Sequence, residues 1–351
     1  MAAAYTDSDE YQREIAEQYK RRVAKFSHTD VCAAVHALGF NVAESDLAEA
    51  RAGNMNATYL SPDFAIKVNA DKSGRSYSAN VLVSEHFAGT LPVVEVLAYD
   101  FFEKTPYEVL VMRRAPGRLL LDDMTSLSED IQKELFAQTL EVVQKLSTLT
   151  FDSFGMVRED GGEKTYAEYL RRNLEANLAS IRAEKLAEEK DIAAIEEYVS
   201  RYLGIFENEM AVFVHNDLHM GNILHDGARV TAIIDFDSAL KAPKMRELMS
   251  LLGFIANPQQ FVEGTPEFGM YQGRSFYHLL PLLRAALPDV FADPALLRKL
   301  NIDGICEGLH WVAGNWSAEW NKEMVRNIME RELAETDTAL QKSYFGAILA
   351  H

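Results

Sequence analysis

Apolar and polar positions change period several times along the chain, and each change marks an element. Ser27-His28-Thr29-Asp30 has the side chains of a helix start, whose oxygens accept from free backbone amides. Val31, Ala34, Val35 and Leu38 follow at helical spacing and Gly39 stops the run, so residues 8–38 read as helical. From about residue 47 the period changes. A glycine-containing hairpin between Ala50 and Leu60 turns at Ser61-Pro62-Asp63 into the strand Phe64-Ala65-Ile66-Lys67-Val68. Residues 75–90 read as a helix, and the runs Pro92 to Tyr99 and Tyr107 to Met112 as two more strands. Beyond Met112 to Gly117 the helical period dominates, with helices expected at about 127–148, 165–180 and 185–210. The pattern predicts an α+β chain in two lobes. Residues 1–112 form a small β-rich N-terminal lobe with N-terminal helices, and residues 113–351 a larger helical lobe.

One stretch carries polar residues that neither period explains. Residues 213 to 224 read Phe-Val-His-Asn-Asp-Leu-His-Met-Gly-Asn-Ile-Leu, and after a short spacer comes Ala-Ile-Ile-Asp-Phe-Asp, ending at Asp237. His215, Asp217 and Asn222 have the spacing His-x-Asp-x-x-x-x-Asn of a kinase catalytic loop. Asp235 ends the apolar run Val230 to Ile234, and its separation from Asn222, 235 − 222 = 13 residues, accommodates a β-hairpin turning at His225-Asp226-Gly227. Phosphoryl transfer needs a carboxylate to take the proton of the attacking hydroxyl and oxygen ligands for Mg²⁺ on the nucleotide phosphates. Asp217 fits the first role, and Asn222 with Asp235 the second. Asp237 reads either as a further metal ligand or as a cap. His215 is expected to brace the loop through a backbone or Asp235 hydrogen bond, while His219 is open between a structural and a functional role.

Lys67, at the end of its strand, has the position of a lysine that contacts the α- and β-phosphates. Gly53-Asn54-Met55-Asn56 is either a turn whose amides approach those phosphates or an ordinary hairpin turn. By position, Met112-Arg113-Arg114 is the interlobe hinge whose backbone meets the adenine edge, with Met112 and Arg114 on the nucleotide side.

The 351-residue chain is 48% hydrophobic, ample for a buried core. Its formal charge of −18 argues against nucleic acid or an anionic membrane as the main partner. An acidic surface either draws in a cationic substrate or serves solubility alone. Cys32 and Cys306 are far apart with no zinc-type spacing, which fits a reducing compartment. The acidic N-terminus lacks a secretory pattern, and no apolar run approaches the roughly 20 residues that span a bilayer. A soluble, cytoplasmic protein is expected.

On His215 to Asn222, Ile233 to Asp237 and the strand lysine, the chain resembles the aminoglycoside phosphotransferase and choline kinase family, from the hairpin near Gly53 to about Ser250. The resemblance implies a bilobal, protein-kinase-like fold and transfer of a phosphoryl group from ATP or GTP to a small-molecule hydroxyl. It implies Asp217 as base, Asn222 and Asp235 as Mg²⁺ ligands, and Lys67 on the phosphates. Two positions depart from the family pattern. The helix glutamate that pairs with the strand lysine falls on Asn80, with Glu85 five residues further on, and Met220 stands where proline is common. A protein kinase is excluded, because Ala242-Pro243 follows Asp237 too closely to leave a peptide-docking segment.

For the acceptor, residues 263–280 form an aromatic-rich stretch, and Glu307, Trp311, Trp316 and Glu319 cluster further on. Rings with carboxylates suit an amine-bearing ligand, although a tryptophan stripe equally suits core packing. An aminoglycoside-type antibiotic is the first expectation. Choline, ethanolamine, a sugar or homoserine is the alternative, and a regulator that binds nucleotide without catalysis is the third.

Overall fold

The computed structural model describes residues 12–13, 15–17, 26–50, 57–72, 75–314 and 318–351. Helix α1 (His28–Ala37) is capped by the Ser27 side chain, which accepts from the Asp30 amide. It ends where Gly39 takes a φ of +91°. Behind it stands an antiparallel five-stranded sheet of β1 (Ala48–Glu49), β2 (Ala57–Leu60), β3 (Phe64–Asn69), β4 (Val96–Phe101) and β5 (Glu108–Arg113), in the order β1-β2-β3-β5-β4. The strand expected from Pro92 starts only at Val96, because Pro92 and Val93 are engaged elsewhere: the Pro92 carbonyl accepts from the Ile233 amide at 2.7 Å.

Alternation gives the sheet two apolar faces. Ile66, Val68, Val109 and Val111 pack against Val31, Ala34 and Val35 of α1. Leu110 and Met112 point the other way and cluster with Tyr77, Val94 and Ala232. Lys67 pairs directly with Leu110 in the β3–β5 ladder, so it shares this second face. Helix α2 (Ser78–Phe87) follows β3 and covers that side.

After β5 the chain enters β6 (Arg118–Leu119), which pairs with β10 (Ile223–His225) of the hairpin formed with β11 (Val230–Ile233). Gly117 makes the approach possible, since a Cβ there would lie 2.6 Å from the His225 carbonyl oxygen. The remainder is helical. Helix α3 (Glu129–Leu146) is followed by α4 (Tyr166–Glu184), which opens with a Thr165/Glu168 capping box, and by α5 (Glu189–Tyr202). A four-stranded sheet, β7 (Thr150–Phe151), β9 (Ala211–Val214), β12 (Leu240–Ala242) and β8 (Gly155–Met156), carries the chain into the site. Helix α6 (Leu248–Ala256) is the apolar run that stops short of membrane length. Helices α7 (Leu280–Ala286), α8 (Leu296–Ala313) and α9 (Ala318–Asn327) follow, and two short helices at Asp337–Leu340 and Tyr344–Leu349 end the large lobe. Among the described residues no helix is long and apolar enough to cross a membrane.

Candidate active site

Strand β9 delivers the catalytic loop, and the β10–β11 hairpin returns the chain beside it. His215 is buried, with Nε2 2.9 Å from the Ile234 carbonyl, which fixes the ring proton on Nε2. Its Nδ1 accepts from the Asp217 amide at 3.4 Å, and desolvation keeps the ring neutral by lowering its pKa. The bracing role expected of His215 is met through backbone. Asn222 donates from Nδ2 to the Asp217 carbonyl at 2.7 Å and reaches its carboxylate at 3.3 Å. The amide nitrogen is thereby spent, and the Asn222 oxygen is the end available to a cation.

Asp217 keeps 45% of its side chain open to the cleft. Desolvation by the cleft walls and then the negative charge of Asp235 push its pKa up to about 7. His219 Nε2 lies 3.8 Å from this carboxylate. The ring accepts the Gly221 amide at Nδ1 and packs on Phe261 with centroids 4.7 Å apart. Desolvation lowers its pKa to about 4, so it is a neutral ring with its proton on Nε2.

Lys67 crosses from the sheet to meet the hairpin. Its buried ammonium donates to Asp235 Oδ1 at 2.6 Å and to Asp237 Oδ2 at 2.7 Å. Burial alone would lower its pKa, but the two carboxylates outweigh it and the net shift is upward. Asn80 on α2 donates to Asp237 Oδ1 at 2.7 Å. Glu85 is exposed, so of the two helix positions it is Asn80 that reaches the site. Asp235 has 41% of its side chain exposed and Asp237 only 12%. Asp235 sits in the left-handed region, φ +67°, as does Asn216 at +68°. Asp and Asn tolerate that backbone better than most residues.

The other expected residues divide. Met112 is buried on the second face of the sheet, and the Arg114 guanidinium donates to the Ser61 carbonyl at 2.8 Å, tied to the β2–β3 turn. Gly53, Asn54, Asn56 and Trp316 lie outside the described residues, as does the side chain of Glu319 on α9. Glu307 and Trp311 share α8, four residues and so about one turn apart. Trp311 is 42% exposed. Glu307 is no free carboxylate, since Arg246 Nη2 donates to it at 2.5 Å, although its charge still acts on Asp217.

Four residues under the loop were missed from sequence. Buried Arg246 bonds Asn216 Oδ1 at 2.8 Å and Asp303 Oδ1 at 2.5 Å, and the Tyr166 hydroxyl donates to Asp303 at 2.9 Å. Glu247 accepts the His215 amide at 2.8 Å, while its other oxygen is buried without a partner. Desolvation pushes Glu247 up to about 7. Charged residues inside the apolar start of α6, Arg246-Glu247 before Leu248, were the available signal.

The sequence model of the phosphotransferase enzyme family APH matches residues 78–280. The chain belongs to this family. No curated protein matches it. Among solved structures, this phosphotransferase is similar to the streptomycin–ATP–APH(2")-IIa ternary complex at 15% identity and a TM-score of 0.60, covering 90% of this chain and 99% of that one. It is also similar to ADP-bound aminoglycoside phosphotransferase APH(2'')-Ib at 15% identity, TM-score 0.58, over 89% and 96%. A thermostable mutant of aminoglycoside phosphotransferase APH(4)-Ia, in complex with AMP-PNP and hygromycin B, aligns at 18% identity, TM-score 0.57, over 86% and 99%. At these identities the likeness is one of fold, and it bears out the α+β, bilobal, kinase-like architecture.

Proposed function

We propose that this phosphotransferase moves the γ-phosphoryl group of ATP or GTP to a hydroxyl of a small, cationic molecule, with an aminoglycoside-type antibiotic as the first candidate. The observation that carries the reading is the meeting of Lys67 with Asp235 beside Asp217 and Asn222, which assembles the phosphate-contacting and proton-accepting groups in one cleft. In this reading the acceptor O–H proton passes to the Asp217 carboxylate as the acceptor oxygen bonds to phosphorus and the bond to the nucleotide diphosphate breaks. A base held near neutral pH suits that transfer.

Asn222 and Asp235 offer hard oxygen donors and would hold Mg²⁺. Among the described residues no cluster of three or more His, Cys, Asp or Glu could cage a metal alone. Mg²⁺ is commonly bound by one or two carboxylates plus substrate phosphates. When bound, the ion neutralises charge on the phosphate oxygens. Lys67 orients the phosphates, and the neutral ring of His219 keeps a donor beside the base.

A cationic acceptor is supported by Trp311, an exposed ring on α8 whose face can receive a cation. The test is Mg²⁺-dependent turnover of ATP and GTP against aminoglycosides, choline-type amines and sugars. Stimulation by one class, lost in Asp217→Asn with nucleotide binding retained, is the expected outcome. Undiminished turnover in Asp217→Asn would remove it as the base.

A further inference from the structure

Helix α2 carries no carboxylate into the cleft, yet Lys67 is held by two. Asp235 lies on the open side, with 41% of its side chain exposed, whereas both oxygens of Asp237 face protein groups, Oδ1 to Asn80 and Oδ2 to Lys67. Asn80 is 1% exposed, and its amide oxygen is buried without a hydrogen-bond partner. An amide buried with one end unpaired is costly, so the contact that keeps it there is the one to Asp237. The chemistry also selects an amide. Asp237 is an acceptor, so the residue opposite Oδ1 must donate, which an ionised glutamate or aspartate cannot do. Charge points the same way. Lys67, Asp235 and Asp237 sum to −1, and a carboxylate at position 80 would bring the cluster to −2 where a polyphosphate must enter.

We propose that Asp237, held by Asn80, is the carboxylate that positions Lys67 for the nucleotide, replacing a helix carboxylate, and that it is not a metal ligand. Asn80 and Asp237 are positioning residues, acting through Lys67. The pair also ties α2 of the small lobe to the segment after β11, so helix placement and lysine placement are set together.

The inference rests on the nucleotide-site reading above, and metal-free binding separates the two. ATP affinity is measured by calorimetry on the full chain, with Mg²⁺ and again in EDTA, for the wild type, Lys67→Met, Asp237→Asn, the double variant and Asn80→Asp. Asp237→Asn is expected to weaken ATP binding in EDTA about tenfold or more, the scale of a lost hydrogen bond to a charged group. The double variant should bind no more weakly than Lys67→Met alone, because Asp237 acts only through the lysine. Asn80→Asp, nearly isosteric, should weaken binding in the same direction, and Asn80→Ser carries this arm if the charged variant does not fold. An Asp237→Asn protein that binds ATP like the wild type in EDTA but more weakly with Mg²⁺ would make Asp237 a metal ligand and overturn the proposal. Tighter binding by Asn80→Asp would overturn it too, by showing that a helix carboxylate serves Lys67 better. If Lys67→Met itself binds like the wild type, the nucleotide-site reading fails, and the inference with it.

Discussion

Lys67 and Asp235 lie 168 residues apart in the chain and 2.6 Å apart in the fold. The contact joins a strand of the five-stranded sheet to the end of the β10–β11 hairpin. It holds because the two elements are fastened beside it, through the Ile233 amide on Pro92 and the apolar contacts of Ala232 with Tyr77, Leu110 and Met112. An ammonium held by two carboxylates is fully charged and fixed in place, and in the proposed reading arriving phosphates would compete for it instead of having to order it.

Arg246 is the anchor under the loop. Arg246→Met would leave Asp303, 1% exposed, with its charge uncompensated, and release Asn216 from the only arginine bonding it among the described residues. Removing one partner of a buried pair costs roughly 3–5 kcal/mol. Urea denaturation should show a loss of that order, and a change within experimental error would mean that the network does not carry charge in the folded state.

Glu247 should make stability depend on pH in a direction opposite to most paired carboxylates. Its folded pKa, about 7, is raised above the 4.5 of an ordinary glutamate, so the folded state holds the proton more tightly. Its contribution is full below about pH 4.5 and is lost as pH rises through 7, at about 1.4 kcal/mol per unit of pKa difference. Glu247→Gln keeps an acceptor for the His215 amide and removes the titration. The variant should gain stability over the wild type between pH 5 and pH 8, measured as the difference in Tm; a constant difference would refute the assignment.

Gly221 has no side chain because the His219 ring occupies the space. A Cβ there would stand 2.6 Å from Cε1 and 3.0 Å from Nδ1 of His219. Gly221→Ala should displace the ring and the loop beside Asp217, with kcat falling up to about 100-fold, the scale of an ångström's misplacement. Single-turnover kinetics would read this, and an unchanged rate would show that the ring position is irrelevant to the chemistry.

Trp311 projects from α8 with 42% of its surface exposed. If its face receives a cationic acceptor, Trp311→Ala should raise the acceptor KM by about two- to thirtyfold, the worth of a cation–π contact. Stability should change by no more than about 0.5 kcal/mol, as for other surface positions. An unaltered KM would place the acceptor elsewhere.

Much of this was legible in the chain because the determinants are local. The 13-residue return from Asn222 to Asp235 forces a hairpin, alternation places Lys67 opposite Ile66 and Val68, and Ser27 and Gly39 bound α1 by backbone chemistry alone. Those features follow from spacing and need no partner. Asn80, Asp237, Arg246 and Glu247 were different. Their work depends on groups distant in the chain: 157 residues separate Asn80 from Asp237, and 57 separate Arg246 from Asp303. The sequence determined which residues could carry phosphoryl transfer and on which strand or loop each would stand. Tertiary structure alone decided which charges are neutralised, because burial makes an unpaired charge costly and only the folded chain selects the partner.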